Sequence, residues 1–178
     1  MIERSGEAYE LDERLTVIGA RLQPGDVAPD FTLDHLDPTS QALTTVRLSN
    51  SAGRLRVLSV VPSLDTSVCS IQTQKWDRLR QDLPAKAVLY TISMDLPYAQ
   101  SRWQLAENVE HVALSAHKNE QFATDYGLLL REWRLLQRAI FVIDADGTIS
   151  YVEYVADQGS EPDYDQAIAA IRSAARGS

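Results

Sequence analysis

Leu55-Arg56-Val57-Leu58-Ser59-Val60-Val61 is a nearly unbroken apolar run of β-strand length, and it stops at Pro62. A strand with one wet face alternates polar and apolar residues. A strand composed like this one has to be covered on both faces. That requirement predicts a layered α/β fold, with helices packed on either side of a central sheet. Ala87 to Ser93 and Ala139 to Ile143 are two more runs of the same kind. Between the first two, Ser67 to Asp82 places Ile71, Leu79 and Leu83 near helical spacing, with Lys75, Arg78 and Arg80 toward solvent.

The remaining segments fit this plan. Tyr98 to Asn108 reads as a helix, His111 to Leu114 as a short strand, and Asn119 to Tyr126 as a helix stopped by Gly127. Ala139 to Ile143 and Thr148 to Val155 flank Asp144-Ala145-Asp146-Gly147, which predicts an antiparallel hairpin. A closing helix is expected from Ser160 as N-cap, with Pro162 in its first turn and Asp163 at N3; Ala167, Ile168 and Ile171 give it an apolar face. Ahead of the main body, Ala8 to Leu11 and Leu15 to Ile18 predict a hairpin within residues 1–22, and Ala28 to Leu33 opens the body in extended form. No repeat or long linker interrupts the chain, so residues 1–178 are expected to form one domain whose mixed sheet carries helices on both faces.

Charge narrows the partners. Seventeen basic against 25 acidic residues leave a net charge of −8, which disfavours nucleic acid and anionic membrane surfaces. Met1 to Glu7 contains no signal-like apolar run, and no window approaches the roughly 18 apolar residues of a membrane span, so a cytoplasmic protein is expected. His35, His111 and His117 are scattered without ligand spacing, and no glycine-rich phosphate loop exists, so neither a metal nor a cofactor is expected. Asp144-x-Asp146-Gly147 shares a fragment with calcium loops but lacks their other ligands; it reads as a hairpin turn.

The chain has one cysteine, Cys69, which excludes an internal disulfide. It follows the end of the apolar strand by a short polar loop, Pro62-Ser63-Leu64-Asp65, and a helix begins near Thr66 or Ser67. Cys69 therefore falls in the first helical turn, where free N–H groups and the positive end of the helix dipole favour a thiolate over a thiol. From these residues alone two readings stand: an activated thiol reachable at the mouth of a pocket, and a small inert hydrophobe in the core. Arg138, just before the apolar run 139–143, is costly to bury without a partner. If that run lies antiparallel to 55–61, its beginning sits beside the end of the other and brings the guanidinium to the Cys69 loop. Otherwise Arg138 is a solvated strand-edge charge.

Pro62-x-x-x-Thr66-x-x-Cys69 matches the Pro-x-x-x-Thr/Ser-x-x-Cys signature of peroxiredoxins, and the full string Pro62 to Cys69 resembles the bacterial thiol peroxidase branch. Gly25-x-x-Ala28-Pro29-x-Phe31-x-Leu33, Asp95-Leu96-Pro97-Tyr98-Ala99-Gln100-Ser101-Arg102-Trp103, Arg138 to Asp144 and Glu161-Pro162-Asp163-Tyr164 extend the resemblance over essentially the whole chain. It implies a thioredoxin-like fold and thiol-dependent reduction of hydrogen peroxide and organic hydroperoxides. In that scheme Cys69 is the peroxidatic nucleophile, Thr66 hydrogen-bonds the peroxide, Pro62 shields the nascent sulfenate, and Arg138 stabilises thiolate and leaving oxygen. The backbone N–H groups of Val68 and Cys69 act as fixed donors. The resemblance also implies a homodimer joined near Asp95–Trp103, so Tyr98 and Trp103 could lie in an interface or in the core.

One departure matters. Where such peroxidases carry a resolving cysteine, this chain reads Arg102-Trp103-Gln104. Cys69 has no internal partner, so an active protein would need an external thiol, either a small thiol or a thioredoxin-like protein. The other outcomes are a redox-sensing or partner-binding protein that signals through Cys69 oxidation without efficient turnover, and a scaffold without activity.

Overall fold

The apolar run becomes a five-residue strand, Arg56–Val60, with every residue buried. In the computed structural model, which describes residues 1–177, the elements in chain order are β1 (Glu3–Glu10), β2 (Glu13–Ile18), β3 (Thr32–Leu36), β4 (Leu43–Arg47), β5 (Arg56–Val60), α1 (Ser67–Leu79), β6 (Val88–Ser93), α2 (Pro97–Glu107), β7 (Val112–Ser115), α3 (Gln121–Asp125), β8 (Leu129–Leu130), β9 (Leu135–Leu136), β10 (Ala139–Ile143), β11 (Ile149–Tyr154) and α4 (Tyr164–Arg176). The main sheet runs β11-β10-β5-β6-β7-β3-β4. Its centre, β5-β6-β7, is parallel. The strands on either side are antiparallel, which makes the sheet mixed.

Alternation along β5 assigns the two faces. Val57 packs with Trp76 of α1 and with Tyr164, Ala167 and Ile171 of α4. Leu58 and Val60 point the other way, into a larger core with Phe31, Phe122, Tyr126 and Phe141. Helices thus cover both faces, as a doubly buried strand demands. This is the mixed α/β sheet, with helices on both faces, that the apolar runs called for. β10 lies antiparallel to β5 with Ala139 opposite Val60, so the residue preceding β10 stands beside the end of β5.

Several details differ from the sequence reading. The face of α1 that enters the protein is Cys69, Gln72, Thr73 and Trp76, whereas Ile71 is half exposed. The apolar spacing misled because the buried stripe is partly polar where it meets the site. Helix α4 starts three residues later than expected: Asp163 is its N-cap and accepts a hydrogen bond from the Gln166 N–H at 3.0 Å. The Ser160 hydroxyl donates instead to Asp157 in the preceding turn. Ala28 to Leu33 leads into a β3–β4 hairpin at the sheet edge, and β8 and β9, of two residues each, were not anticipated. They tie the β1–β2 hairpin into a second sheet ordered β1-β2-β8-β9. No helix among the described residues is long and apolar enough to cross a membrane.

Candidate active site

After β5 the chain passes Val61 and the buried Pro62, then turns through Ser63, Leu64 and Asp65 into α1. Thr66 occupies the N-cap position with extended backbone, φ −91° and ψ 147°. Its side chain does not cap the helix, as its residue type had suggested. The hydroxyl donates back to the Ser63 carbonyl at 3.1 Å. Without a side-chain cap, no group among the described residues satisfies the N–H of Val68 or Cys69. Cys69 is the third residue of α1, among the free donors of the first turn.

Arg138, immediately before β10, enters this turn from the neighbouring strand. It is 1% exposed, and its Nη2 donates to the Cys69 sulfur at 3.4 Å and to the Gln158 carbonyl at 2.6 Å. Nη1 donates to the Gln72 amide oxygen at 2.9 Å, and the Gln72 amide in turn donates to Ser59 of β5 at 2.8 Å. The Gln158 side chain accepts the Arg138 backbone N–H at 2.8 Å. No carboxylate among the described residues pairs with Arg138. The hydrogen-bond partners of the guanidinium among the described residues are two neutral amide oxygens, from Gln72 and Gln158, and the Cys69 sulfur. A buried guanidinium without a carboxylate partner is a charge-assisted donor for an anion formed beside it.

On its other side Cys69 packs with Val61, Leu64, Trp103 and Val109. The residue is fully buried at 0% exposure, so the reachable thiol at a pocket mouth is not what the structure shows. Trp103 belongs to this core, while Tyr98 is 62% exposed. Gln104, at the place of the missing thiol, is buried and donates to the His111 carbonyl at 2.7 Å. The histidines are spent on the fold: His35 contacts the Ala113 carbonyl, His111 binds Asp77 and His117 meets Asp34.

The structure therefore brings Pro62, Thr66, Cys69 and Arg138 to one end of the central strands. Sequence reasoning missed the two glutamines that hold Arg138. Gln72 was available in principle, since it lies three residues beyond Cys69 and shares its helical face. Gln158 holds the guanidinium through a backbone carbonyl, which leaves no trace in residue type.

A thiol at a helix start, paired with a buried arginine on a thioredoxin-like sheet, defines a thiol-based redox protein of the peroxiredoxin kind. The Redoxin family pattern matches residues 23–168, and the chain belongs to that family. A thiol peroxidase of Streptococcus sanguinis is 44% identical over 164 residues, covering 92% of this chain and 97% of that protein. One from Halalkalibacterium halodurans is 42% identical over 161 residues, with 90% and 93% covered. Among solved structures, a peroxiredoxin-like protein from Aquifex aeolicus superposes with a TM-score of 0.81 at 26% identity, over 95% of this chain and 98% of that one.

Proposed function

We propose that this protein is a thiol-dependent peroxidase acting by a one-cysteine route on hydrogen peroxide and organic hydroperoxides. The observation that carries the proposal is the Arg138 guanidinium on the Cys69 sulfur, 3.4 Å away in a buried setting where no carboxylate among the described residues pairs with it. The Cys69 thiolate attacks one peroxide oxygen. The S–O bond forms as the O–O bond breaks, sulfur gives up two electrons, and the departing hydroxide or alkoxide takes a proton to leave as water or alcohol. Arg138 stabilises sulfur before attack and the charge moving onto the leaving oxygen afterwards.

Thr66 has a defined part in this scheme. Its only hydroxyl hydrogen is committed to the Ser63 carbonyl, so its oxygen offers lone pairs and accepts a hydrogen bond from the peroxide. The free N–H groups of Val68 and Cys69 supply donors, and Pro62 walls the sulfur from water. Because Cys69 is buried, entry of peroxide requires the loop before α1 to shift, and a larger reductant requires a wider opening. An external thiol then condenses with the sulfenic acid, releasing water and leaving a mixed disulfide. A second thiol restores Cys69 and departs as the oxidised disulfide.

Trapping with dimedone after a small excess of hydrogen peroxide, read by intact mass, tests the first step. Labelling within seconds, absent in Cys69→Ser, is the expected result; labelling only over many minutes refutes it. The complete burial of Cys69 also favours a second reading, a redox sensor whose sheltered sulfenic acid persists. Sustained peroxide consumption with a physiological thiol supports the enzyme, and oxidation without turnover supports the sensor. We further assign the protein to the cytoplasm, where recycling thiols are abundant, and to a homodimer joined around Leu96, Tyr98 and Leu105. These side chains are 52%, 62% and 60% exposed, and a dimer would cover them. Sedimentation that yields only monomer at micromolar concentration would remove the dimer.

A further inference from the structure

The loop that carries Thr66 into α1 is short, and its backbone is held by a side chain from another element. Asp95 follows β6 and precedes α2. One of its carboxylate oxygens accepts the Ser63 hydroxyl at 2.7 Å; the other accepts the Leu64 backbone N–H at 2.8 Å and the Ser93 hydroxyl at 2.7 Å. Ser93 is fixed in turn by the Gln100 amide, which donates to it at 2.9 Å and also to the Leu114 carbonyl at 2.9 Å. The Ser115 hydroxyl donates to the Asp95 carbonyl. Asp95 is thus anchored to β6, α2 and β7, and both its oxygens reach the loop or its anchor.

The contact continues toward the chemistry. The Ser63 carbonyl accepts both the Thr66 hydroxyl and the Thr66 N–H, each at 3.1 Å. Ser63 also accepts the Asp65 N–H at its hydroxyl, 3.2 Å away. Where Ser63 sits therefore decides where the Thr66 oxygen points. We propose that Asp95 is a positioning residue for peroxide reduction: by clamping Ser63 and Leu64 it aims the Thr66 hydroxyl and the first turn of α1 at the peroxide. This rests on the peroxidase reading and adds to it a residue that touches neither sulfur nor substrate.

A clamp that only keeps the loop shut and a clamp that aims it make opposite demands. If Asp95 merely closed the loop, Asp95→Ala would admit peroxide faster. If it aims Thr66, the same change slows peroxide while a reagent that needs only an open path to the thiolate is not slowed. We therefore compare two rates in each protein: Cys69 oxidation by hydrogen peroxide, from dimedone trapping, and Cys69 alkylation by iodoacetamide, from intact mass. Misplacement by a fraction of an ångström to an ångström costs about 10- to 100-fold. Asp95→Ala is expected to lose about that much in peroxide oxidation, with alkylation unchanged or faster. Asp95→Asn, which keeps an acceptor for the Leu64 N–H, should recover part of the loss. Peroxide oxidation that is unchanged or faster in Asp95→Ala, or that falls in parallel with alkylation, overturns the positioning role. Should Asp95→Ala not fold, Ser63→Ala removes the link at its other end and is read by the same pair of rates. A wild-type protein oxidised no faster than an ordinary thiol removes the peroxidase reading, and this one with it; a fast wild type with an unaffected Asp95→Ala removes this one alone.

Discussion

Arg138 is expected to set the rate of the oxidation step. Arg138→Ala removes the one cation that the described residues place at the sulfur, and loss of one such electrostatic partner typically costs about 10²- to 10³-fold. Lysine keeps the charge but cannot span Gln72, Gln158 and Cys69 at once, so Arg138→Lys should fall between wild type and Arg138→Ala. Dimedone-trapping rates that match wild type in both variants would contradict the assignment. The second residue-scale expectation concerns Gln104. Gln104→Cys places a thiol one residue beyond Trp103, which shares a buried cluster with Cys69. Peroxide treatment should then cost that variant two hydrogens in mass as a disulfide closes, after α2 or α1 loosens enough to bring the Cα atoms within about 7 Å. An unchanged mass would contradict it. At this scale the chain was informative where chemistry lives in side-chain type. Cys69 and Arg138 stood out by type and position, but from those alone each kept two readings, and the resemblance carried the roles expected of them. Asp95 opened a segment that shares the resemblance but gave no sign of its contact with the Cys69 loop, because its partners there are a serine and a backbone amide 31 or 32 residues away.

At the scale of elements, Asp77 joins α1 to the start of β7. Its carboxylate accepts the backbone N–H groups of Glu110 and His111 at 3.0 Å each, and the His111 ring at 2.8 Å. Burial would raise the Asp77 carboxyl, but these hydrogen bonds outweigh burial and hold it well below the usual carboxylate range. Burial pushes the His111 imidazole below its ordinary value of 6.5, and Asp77 only partly opposes the shift. Both folded-state values are depressed, so both contribute stability that is present above the unfolded-state values and lost as pH falls. The His111 share should begin to disappear below about pH 6.5, and the Asp77 share through the carboxylate range. Melting temperature should therefore decline steadily from pH 7 to 4, and His111→Gln should flatten the upper part of that slope. A curve for His111→Gln that parallels wild type between pH 7 and 5 would disprove this. Asp77→Ala should cost about 2 kcal/mol at neutral pH, since it strands two backbone donors. Elements were legible in proportion to their burial. β5, β6 and β10 announced themselves as apolar runs, whereas β4 is largely exposed and polar and β8 and β9 are too short to show a period. The start of α4 was misplaced because Ser160 closes a turn with Asp157 before the helix begins.

At the scale of the molecule, the N-terminal hairpin is keyed into the rest through two glycines. Gly127 has φ +63°, and a Cβ added there would lie 2.2 Å from the Ala20 carbonyl oxygen. Gly19 faces it, with its own Cβ position 2.3 Å from the Thr124 carbonyl. Arg4 of β1 donates to the carbonyls of both glycines, binding the two segments together. Gly127→Ala must push backbone apart as well as strain its dihedral, an expected loss of about 2–3 kcal/mol. That corresponds to a fall in melting temperature of about 5–10 °C. A melt within one degree of wild type would show that the hairpin yields freely. The sequence signalled a hairpin here, and Gly127 as a helix stop, but not that the two meet, since the contact depends on backbone surfaces brought together from more than 100 residues apart.

The amide of Gln104, fastened to the His111 carbonyl, leaves an oxidised sulfur with no safe harbour inside its own chain. Whichever molecule arrives first decides its fate: a thiol rescues it, and another oxidant drives it to sulfinic acid, from which ordinary thiols do not bring it back. The outcome is a race between two concentrations outside the protein. At low oxidant the catalyst survives each cycle; at high oxidant its own substrate destroys it.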